Sequence, residues 1–334
     1  MKKLLMGALI LATSVFFTAC GGGKEEAKET GQVITLKLAD NHAEDYPTVM
    51  GDKYFAKLVE EKTEGRVKIE VYPSGQLGEE EVTVEQTQFG AIDLVRISIS
   101  PLTQYNDSLN VLMLPYLYSS REQMFRVLDG EIGEKYLLSL EDNNLIGLCW
   151  FDSGARNFYN TKKEIKSVDD LKGLKIRVQN SALMMGLVEA LGASATPMSF
   201  GEVYSALQTG VIDGAENNWP SYDSTSHYNV AKYYVEDEHT RVPEMILINK
   251  NSLAKLSEGD QTILKEAAKE AAIKQREYWN EREEVSKKKI IESGNVITTL
   301  TPEQKKEFQN KVKPLYEKFA KDHMDTVNAI LNTK

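Results

Sequence analysis

The chain has 334 residues, 41% hydrophobic and 27% charged, with a formal net charge of -10. That length is enough to bury two sizeable cores. The acidic balance, with no basic stripe anywhere, excludes a nucleic-acid binder.

Lys2 and Lys3 precede an apolar run from Leu4 to Phe17, and Thr18-Ala19-Cys20 follows it. A charged start, an apolar centre too short to span a bilayer and small residues before a cleavage point predict an export signal over residues 1–19. The stretch ending at Cys20 resembles a lipobox, which makes Cys20 the expected lipid attachment point, although Phe17 stands where an aliphatic residue is usual. Cleavage before Cys20 removes Lys2 and Lys3, two positive charges, and takes the formal charge from -10 to -12. Residues 20–31, rich in Gly, Glu and Lys, then form a flexible tether. Cys149, in Leu148-Cys149-Trp150-Phe151, reads as a buried free thiol, and no disulfide framework or zinc spacing exists.

Ile34 to Ala39 alternates as a strand, Asp40 to Pro47 breaks it, and a helical pattern with Phe55, Leu58 and Val59 on its stripe runs through Glu61. A strand from Arg66 to Tyr72, a helix opened by Glu79 to Glu81 and running to Phe89, and a strand from Ala91 to Ser98 follow. Carboxylates at that helix start suit the positive end of its dipole. Strand, helix, strand, helix, strand predicts a parallel sheet with right-handed crossovers.

Leu109 to Leu117 is a buried connection interrupted by Pro115, Ser120 to Glu141 reads as helices broken at Gly130, and Leu145 to Asp152 returns as a strand. From Ser153 a second α/β block begins: a strand through Tyr159, a strand Leu174 to Val178, helices Ala182 to Leu191 and Phe200 to Thr209, and a tight strand around Gly214 to Asn217. No long linker separates the blocks, so two lobes joined by crossing strands fit better than two separate beads. Tyr233 to Thr240 and Glu244 to Asn249 are the expected crossing strands, with Pro243 restricting the chain between them. Ser257 to Ser293 is one long charged helical run whose apolar positions Ile263, Leu264, Ala267, Ala271, Ile273 and Trp279 predict a brace across both lobes. A strand near Val296 and a final helix from Pro302 complete the chain.

Hydrolase, phosphate-loop and dinucleotide signatures are absent, and His42, His227, His239 and His323 are scattered without metal spacing. The pattern therefore favours a binding protein over an enzyme and calls for no cofactor or metal. What remains is a set of polar residues at strand ends, where α/β folds place their ligands. Arg177 leads: it lies in mid-strand between Ile176 and Val178, where a cation is costly to desolvate unless an anion meets it. That anion is either a ligand carboxylate or an internal partner such as Glu189 or Asp170. Arg156 follows a glycine turn and reads equally as a surface residue, Asn217 equally as a helix cap, Glu80 as dipole decoration, and Asn41 and His42 as turn residues. Arg96, interrupting an apolar strand, is harder to place on a surface.

Four tracts resemble the solute-binding receptors of tripartite ATP-independent periplasmic (TRAP) transporters: Tyr72-Pro73-Ser74-Gly75-Gln76-Leu77-Gly78, Asp170-Leu171-Lys172-Gly173-Leu174-Lys175-Ile176-Arg177, Leu191-Gly192-Ala193, and the run from Glu202 to Asn217. The resemblance implies an α/β, two-lobe, periplasmic-binding-protein-like fold with strands crossing between lobes and a long bracing helix. Its expected boundaries are 32–152 plus 243–282 for lobe I and 153–242 plus 283–334 for lobe II. It implies that Arg177 forms a bidentate salt bridge with a ligand carboxylate, assisted by Arg156 and Asn217. Asn41, Glu80 and the Arg96 to Ser98 region match positions of the other lobe that touch the rest of the ligand, with Glu80 an acceptor for hydroxyls and Arg96 a further cation. His42 and Trp219 are candidates to flank a ring. The tracts Glu216 to Tyr228 and Asp237 to Pro243 resemble the branch that binds hexuronates such as glucuronate and galacturonate. The implied protein is a monomeric, lipid-anchored, exported receptor that closes on a small organic acid and delivers it to TRAP membrane subunits. C4-dicarboxylate, sialate, aldonate or glycerol phosphate receptors, a sensor receptor, and an exported uronate-processing enzyme using Glu80 and a second carboxylate are the competing readings.

Overall fold

The computed structural model describes residues 33–333, so the export signal, Cys20 and the tether lie outside the described residues. The first block runs β1 (Ile34–Ala39), α1 (Pro47–Lys62), β2 (Val67–Tyr72), α2 (Glu80–Phe89), β3 (Leu94–Ser98), α3 (Ile99–Leu102), α4 (Arg121–Leu128), α5 (Glu131–Leu137) and β4 (Leu145–Phe151). The second runs β5 (Ala155–Asn160), β6 (Lys175–Val178), α6 (Ala182–Ala190), β7 (Ser194–Pro197), α7 (Val203–Thr209), β8 (Gly214–Asn217), α8 (Trp219–Ser224), β9 (Tyr233–Glu236) and β10 (Thr240–Arg241). Then come β11 (Glu244–Asn249), α9 (Lys250–Ala254), α10 (Glu258–Glu292), β12 (Val296–Thr299), α11 (Pro302–Val312), α12 (Pro314–Ala320) and α13 (Met324–Asn332).

Two sheets result, one per lobe. The first has the order β2-β1-β3-β11-β4, with β1 parallel to β2 and β3 and with β11 antiparallel to both its neighbours. The second has the order β12-β9-β5-β8-β6-β7, with β10 paired to β5. The chain leaves the first sheet after β4, returns to it from β10 into β11, and leaves again through α10 to β12. Three passages between lobes are therefore built into the topology.

The same sequence features that predict the brace explain why it holds both lobes. Leu264, Ala267, Ala268, Ala271 and Ala272 of α10 pack into the core formed by β1, β2, α1 and β11, whereas Ile290 near its other end belongs to the core around Tyr159, Tyr222 and Tyr234. Between these ends the fully buried Gln275 accepts from the Asp152 backbone N–H at 2.8 Å and donates to the Asp152 carbonyl at 2.9 Å, replacing ladder bonds where the chain crosses. Ser153 ties the two crossing strands together by donating to the Val242 carbonyl.

Several details differ from expectation. Ile273 is 62% exposed, because two residues past Ala271 a helix has turned about 200° and presents the opposite face. The expected strand Tyr233 to Thr240 is split at Asp237-Glu238-His239, and the last helix is broken into three, with Pro314 supplying no N–H to continue the first. The edge strand β7 follows Leu191-Gly192-Ala193 and has no apolar alternation to announce it. Cys149 is buried and free, and burial pushes its thiol well above the ordinary range.

Gly51 lets α1 approach the brace: a Cβ there would lie 2.8 Å from the Gln275 side chain and 2.9 Å from Phe151. Gly51→Val is expected to destabilise the protein by about 1 to 3 kcal/mol through overpacking. Urea unfolding checks this, and an unchanged midpoint would show that the helices do not meet so closely.

Candidate functional site

The carboxyl ends of β1, β6 and β8 border one cavity between the lobes. Asn41, His42, Glu80, Arg156, Arg177 and Asn217 all line it. The lobes meet beside it, where the Tyr46 hydroxyl lies 2.7 Å from Ser221 Oγ and the His42 ring is 5.2 Å from Phe200, so the cleft is closed.

Arg177 is 3% exposed, yet it makes no carboxylate ion pair among the described residues. Its Nε and Nη2 both donate to the Met198 carbonyl, at 2.9 and 2.7 Å, and these bonds fix the guanidinium plane. Burial and the nearby Arg156 push its pKa down, with Glu216 opposing. Neither internal partner considered from the sequence meets it, since Asp170 closes a capping box on Ser167 and Glu189 is exposed. A buried cation lacking its counter-charge is an anion site.

Arg156 lies beside it but is already neutralised. The antiparallel pairing of β5 with β8 sets Phe158 opposite Glu216, and the Glu216 carboxylate grips Arg156 through Nε and, at 2.8 Å, through Nη2. Burial would raise the Glu216 pKa, but Arg156 and His239 outweigh it and hold it at about 2. Burial likewise opposes a charge on His239, yet Asp237 at 2.8 Å and Glu216 at 3.4 Å raise its pKa to about 9. Arg156 therefore serves the site as a fixed dipole more than as a free cation. Asn217 Oδ1 accepts from Arg156 Nη1 at 3.1 Å and from the Asn218 N–H at 2.9 Å, which leaves its amide nitrogen for the cavity. The helix cap is Asn218 rather than Asn217, accepting from the Ser221 N–H at 2.7 Å.

The lobe I wall has the opposite character. Arg96 is fully buried and does not line the cavity: Nη2 donates to Asp40 and to Asn41 Oδ1, each at 2.5 Å, and Nη1 to Glu80 at 2.7 Å and Glu244 at 3.2 Å. The expectation of a further cation for the ligand is thus corrected, because internal carboxylates consume its charge. Glu80 in turn accepts from the Ser98 N–H at 3.1 Å, and Ser98 itself caps α3 outside the cavity lining. His42 stacks on Tyr46 at 4.0 Å, and burial together with Arg96 lowers its pKa, so the ring is neutral. Trp219 does not flank the cavity either. At the first position of α8 its side chain turns into the core and stacks on Tyr234 at 4.0 Å.

Sequence reasoning missed Glu244, Phe200, Gln179, Asn180, Asn218 and Ser221 on the cavity wall and Asp40, Asp52 and Glu216 behind it. Glu216 alone had a signal: an acid in an all-buried strand needs a buried cation, and Arg156 is the nearest candidate on the neighbouring strand.

A polar cleft between two sheet-centred lobes joined by crossing strands is the architecture of a two-lobe solute-binding protein. The chain belongs to the bacterial extracellular solute-binding protein family 7, whose model matches residues 38–322. A solute-binding protein of Chromohalobacter salexigens is 44% identical over 294 residues, 88% of this chain and 87% of its own length. The crystal structure of a TRAP periplasmic solute-binding protein from Bradyrhizobium in complex with D-galacturonate superposes with a TM-score of 0.87 at 42% identity, covering 90% of this chain and all of that one. One from Chromohalobacter salexigens with bound D-glucuronate gives 0.86 at 42% identity, with the same coverage. Members of the family are periplasmic receptors for small organic acids that work with TRAP membrane subunits.

Glu216→Gln should cost about 3 to 5 kcal/mol in urea unfolding at pH 7, because Arg156 stays buried without its partner. His239 carries a raised pKa, so its contribution is full below about pH 6.5 and is lost as pH rises through about 9. His239→Gln is accordingly expected to make the fall in stability across that window shallower.

Proposed function

We propose that this chain is the extracytoplasmic receptor of a TRAP transporter for a hexuronate, glucuronate or galacturonate. The observation that carries the reading is the polarity of the cavity. At the lobe II end a desolvated guanidinium has no internal carboxylate, and at the lobe I end Glu79, Glu80, Glu81 and Glu244 face the same space with Arg96 already spent. Such a cavity takes one carboxylate at one end and hydroxyls, which donate to carboxylates, at the other. A C4-dicarboxylate would bring its second anion against that acidic wall, so the arrangement disfavours it. The galacturonate and glucuronate held by the similar receptors support the same reading.

In the mechanism, Arg177 orients the carboxylate through its planar fork, held by Met198, while Asn217 donates from its amide. Asn41 and Glu80, reached only when the lobes meet, bind the far end. Closure is favoured because both sets of contacts exist together only in the shut state. We place lobe I at 32–152 plus 243–282 and lobe II at 153–242 plus 283–334, with Cys20 as a lipid anchor and a monomeric chain. No catalytic role is assigned: Glu80, the acid an enzyme would need, is bonded to Arg96 and the Ser98 N–H.

Arg177→Met removes no internal ion pair, so the protein should fold, while the uronate carboxylate is left buried and unpaired. Titration calorimetry with D-glucuronate and D-galacturonate is expected to show affinity falling by two to four decades, corresponding to about 3 to 5 kcal/mol. An unchanged Kd would overturn the assignment. Malate or succinate binding more tightly than either uronate would overturn the ligand class.

A further inference from the structure

Four carboxyl groups surround the single guanidinium of Arg96: Asp40 at the end of β1, Asp52 on α1, Glu80 on α2 and Glu244 at the start of β11. If all four were ionised, three negative charges would remain uncompensated in a region closed to water, since four carboxylates face one cation. Burial of that kind is relieved by proton uptake.

The geometry says where the protons go. Asp40 and Glu80 hold the short bonds to Arg96, at 2.5 and 2.7 Å, and for Asp40 the guanidinium outweighs burial and lowers its pKa. Asp52 is wholly buried, neither of its oxygens has a hydrogen-bond partner at ordinary geometry among the described residues, and burial and the adjacent Asp40 carboxylate raise its pKa well above the usual carboxylate range. Glu244 is 6% exposed, and among the described residues its side chain accepts one hydrogen bond, the longest of the set, at Oε2 from the Arg96 nitrogen that Glu80 already occupies at closer range. Its second oxygen has no hydrogen-bond partner among the described residues, and Glu244 lines the cavity. The groups facing it are Arg96 from β3, Glu80 from α2, Asp40 from β1, Asp52 from α1, Tyr46 at the start of α1 and Arg156 from β5.

We propose that Glu244 is a specificity-determining residue that carries a proton at neutral pH and donates it as a hydrogen bond to a proton-free oxygen of the bound sugar acid. The inference rests on the uronate reading and adds what that reading lacks. The other carboxylates of lobe I can only accept from hydroxyls, whereas a pyranose ring oxygen has no hydrogen and needs a donor. Burial, with Glu80 and Asp40 adding to it and Arg96 opposing, raises Glu244 to about 8, so the proton is present at pH 7 and lost in mildly alkaline solution. Binding then draws a proton from solvent whenever the free receptor has lost it.

Two measurements test this. In the first, D-glucuronate and D-galacturonate are titrated into the full receptor from pH 6.5 to 9.5 in buffers of different ionisation enthalpy. The wild-type Kd should be level up to about pH 7 and weaken by roughly tenfold per pH unit above about 8, with proton uptake approaching one per site. Glu244→Gln, which cannot titrate, should lose this dependence. A level wild-type profile with no proton uptake, or a variant that follows the wild-type curve, overturns the proposal and in the latter case transfers the effect to His239.

The second needs no ligand and so separates failure of this inference from failure of the uronate reading. Glu244 has a folded pKa above its unfolded one, so its contribution to stability falls as pH rises from about 4.5 to about 8 and is then constant. The Tm of Glu244→Gln should gain on that of the wild type across this interval. A constant difference would mean that Glu244 is ionised throughout, and the proposal would fall whatever the ligand.

Discussion

The structure depends on a guanidinium that the protein desolvates without supplying a counter-ion. Arg177 is held rigid by one backbone carbonyl, while the buried arginines Arg156 and Arg96 are matched with acid, Arg156 with Glu216 and Arg96 with Asp40 and Glu80. Such a charge is costly to leave bare, and the cost is removed when an anion enters. In the proposed function, selectivity and closure follow from the same asymmetry. One lobe presents a fixed positive point and the other a group of acidic side chains, and the proposed uronate reading rests on that difference.

The two arginines beside the ligand space illustrate how different an identical side chain can be. Arg156 and Arg177 both project from buried strands, but the Glu216 carboxylate bonds to Arg156 and not to Arg177. The resulting chain Arg156, Glu216, His239, Asp237 alternates in sign, and each member stabilises the charge of the next. It sets the orientation of Asn217 and keeps a second mobile cation out of the site. Arg96 works the same way in lobe I, where it organises Asn41, Glu80 and Glu244 as a scaffold.

Much of this was legible in the sequence. The bounds of β1, the reach of α2 and the 35-residue α10 follow from apolar spacing and caps almost to the residue. Arg177 stood out because a charge between Ile176 and Val178 has no cheap explanation. Partners were not legible, because the pair that disarms Arg156 is separated by 60 residues and is created by strand register, which single-sequence patterns do not encode. Glu244 was invisible for a related reason: an acid at the first position of an apolar strand reads as a solvent-facing end, and only the antiparallel neighbours β3 and β4 bury it. Trp219 was misplaced because adjacency to Asn217 in sequence says nothing about direction once a helix begins at that residue.

The brace has a mechanical meaning beyond holding two cores together. At 35 residues α10 is a rod of roughly 50 Å whose two halves are each embedded in a different body. Any rotation that opens the cleft must appear as bend or twist in that rod, centred near Gln275, where its amide clamps the crossing chain. A change in the angle between the two cores would therefore appear as curvature of this helix.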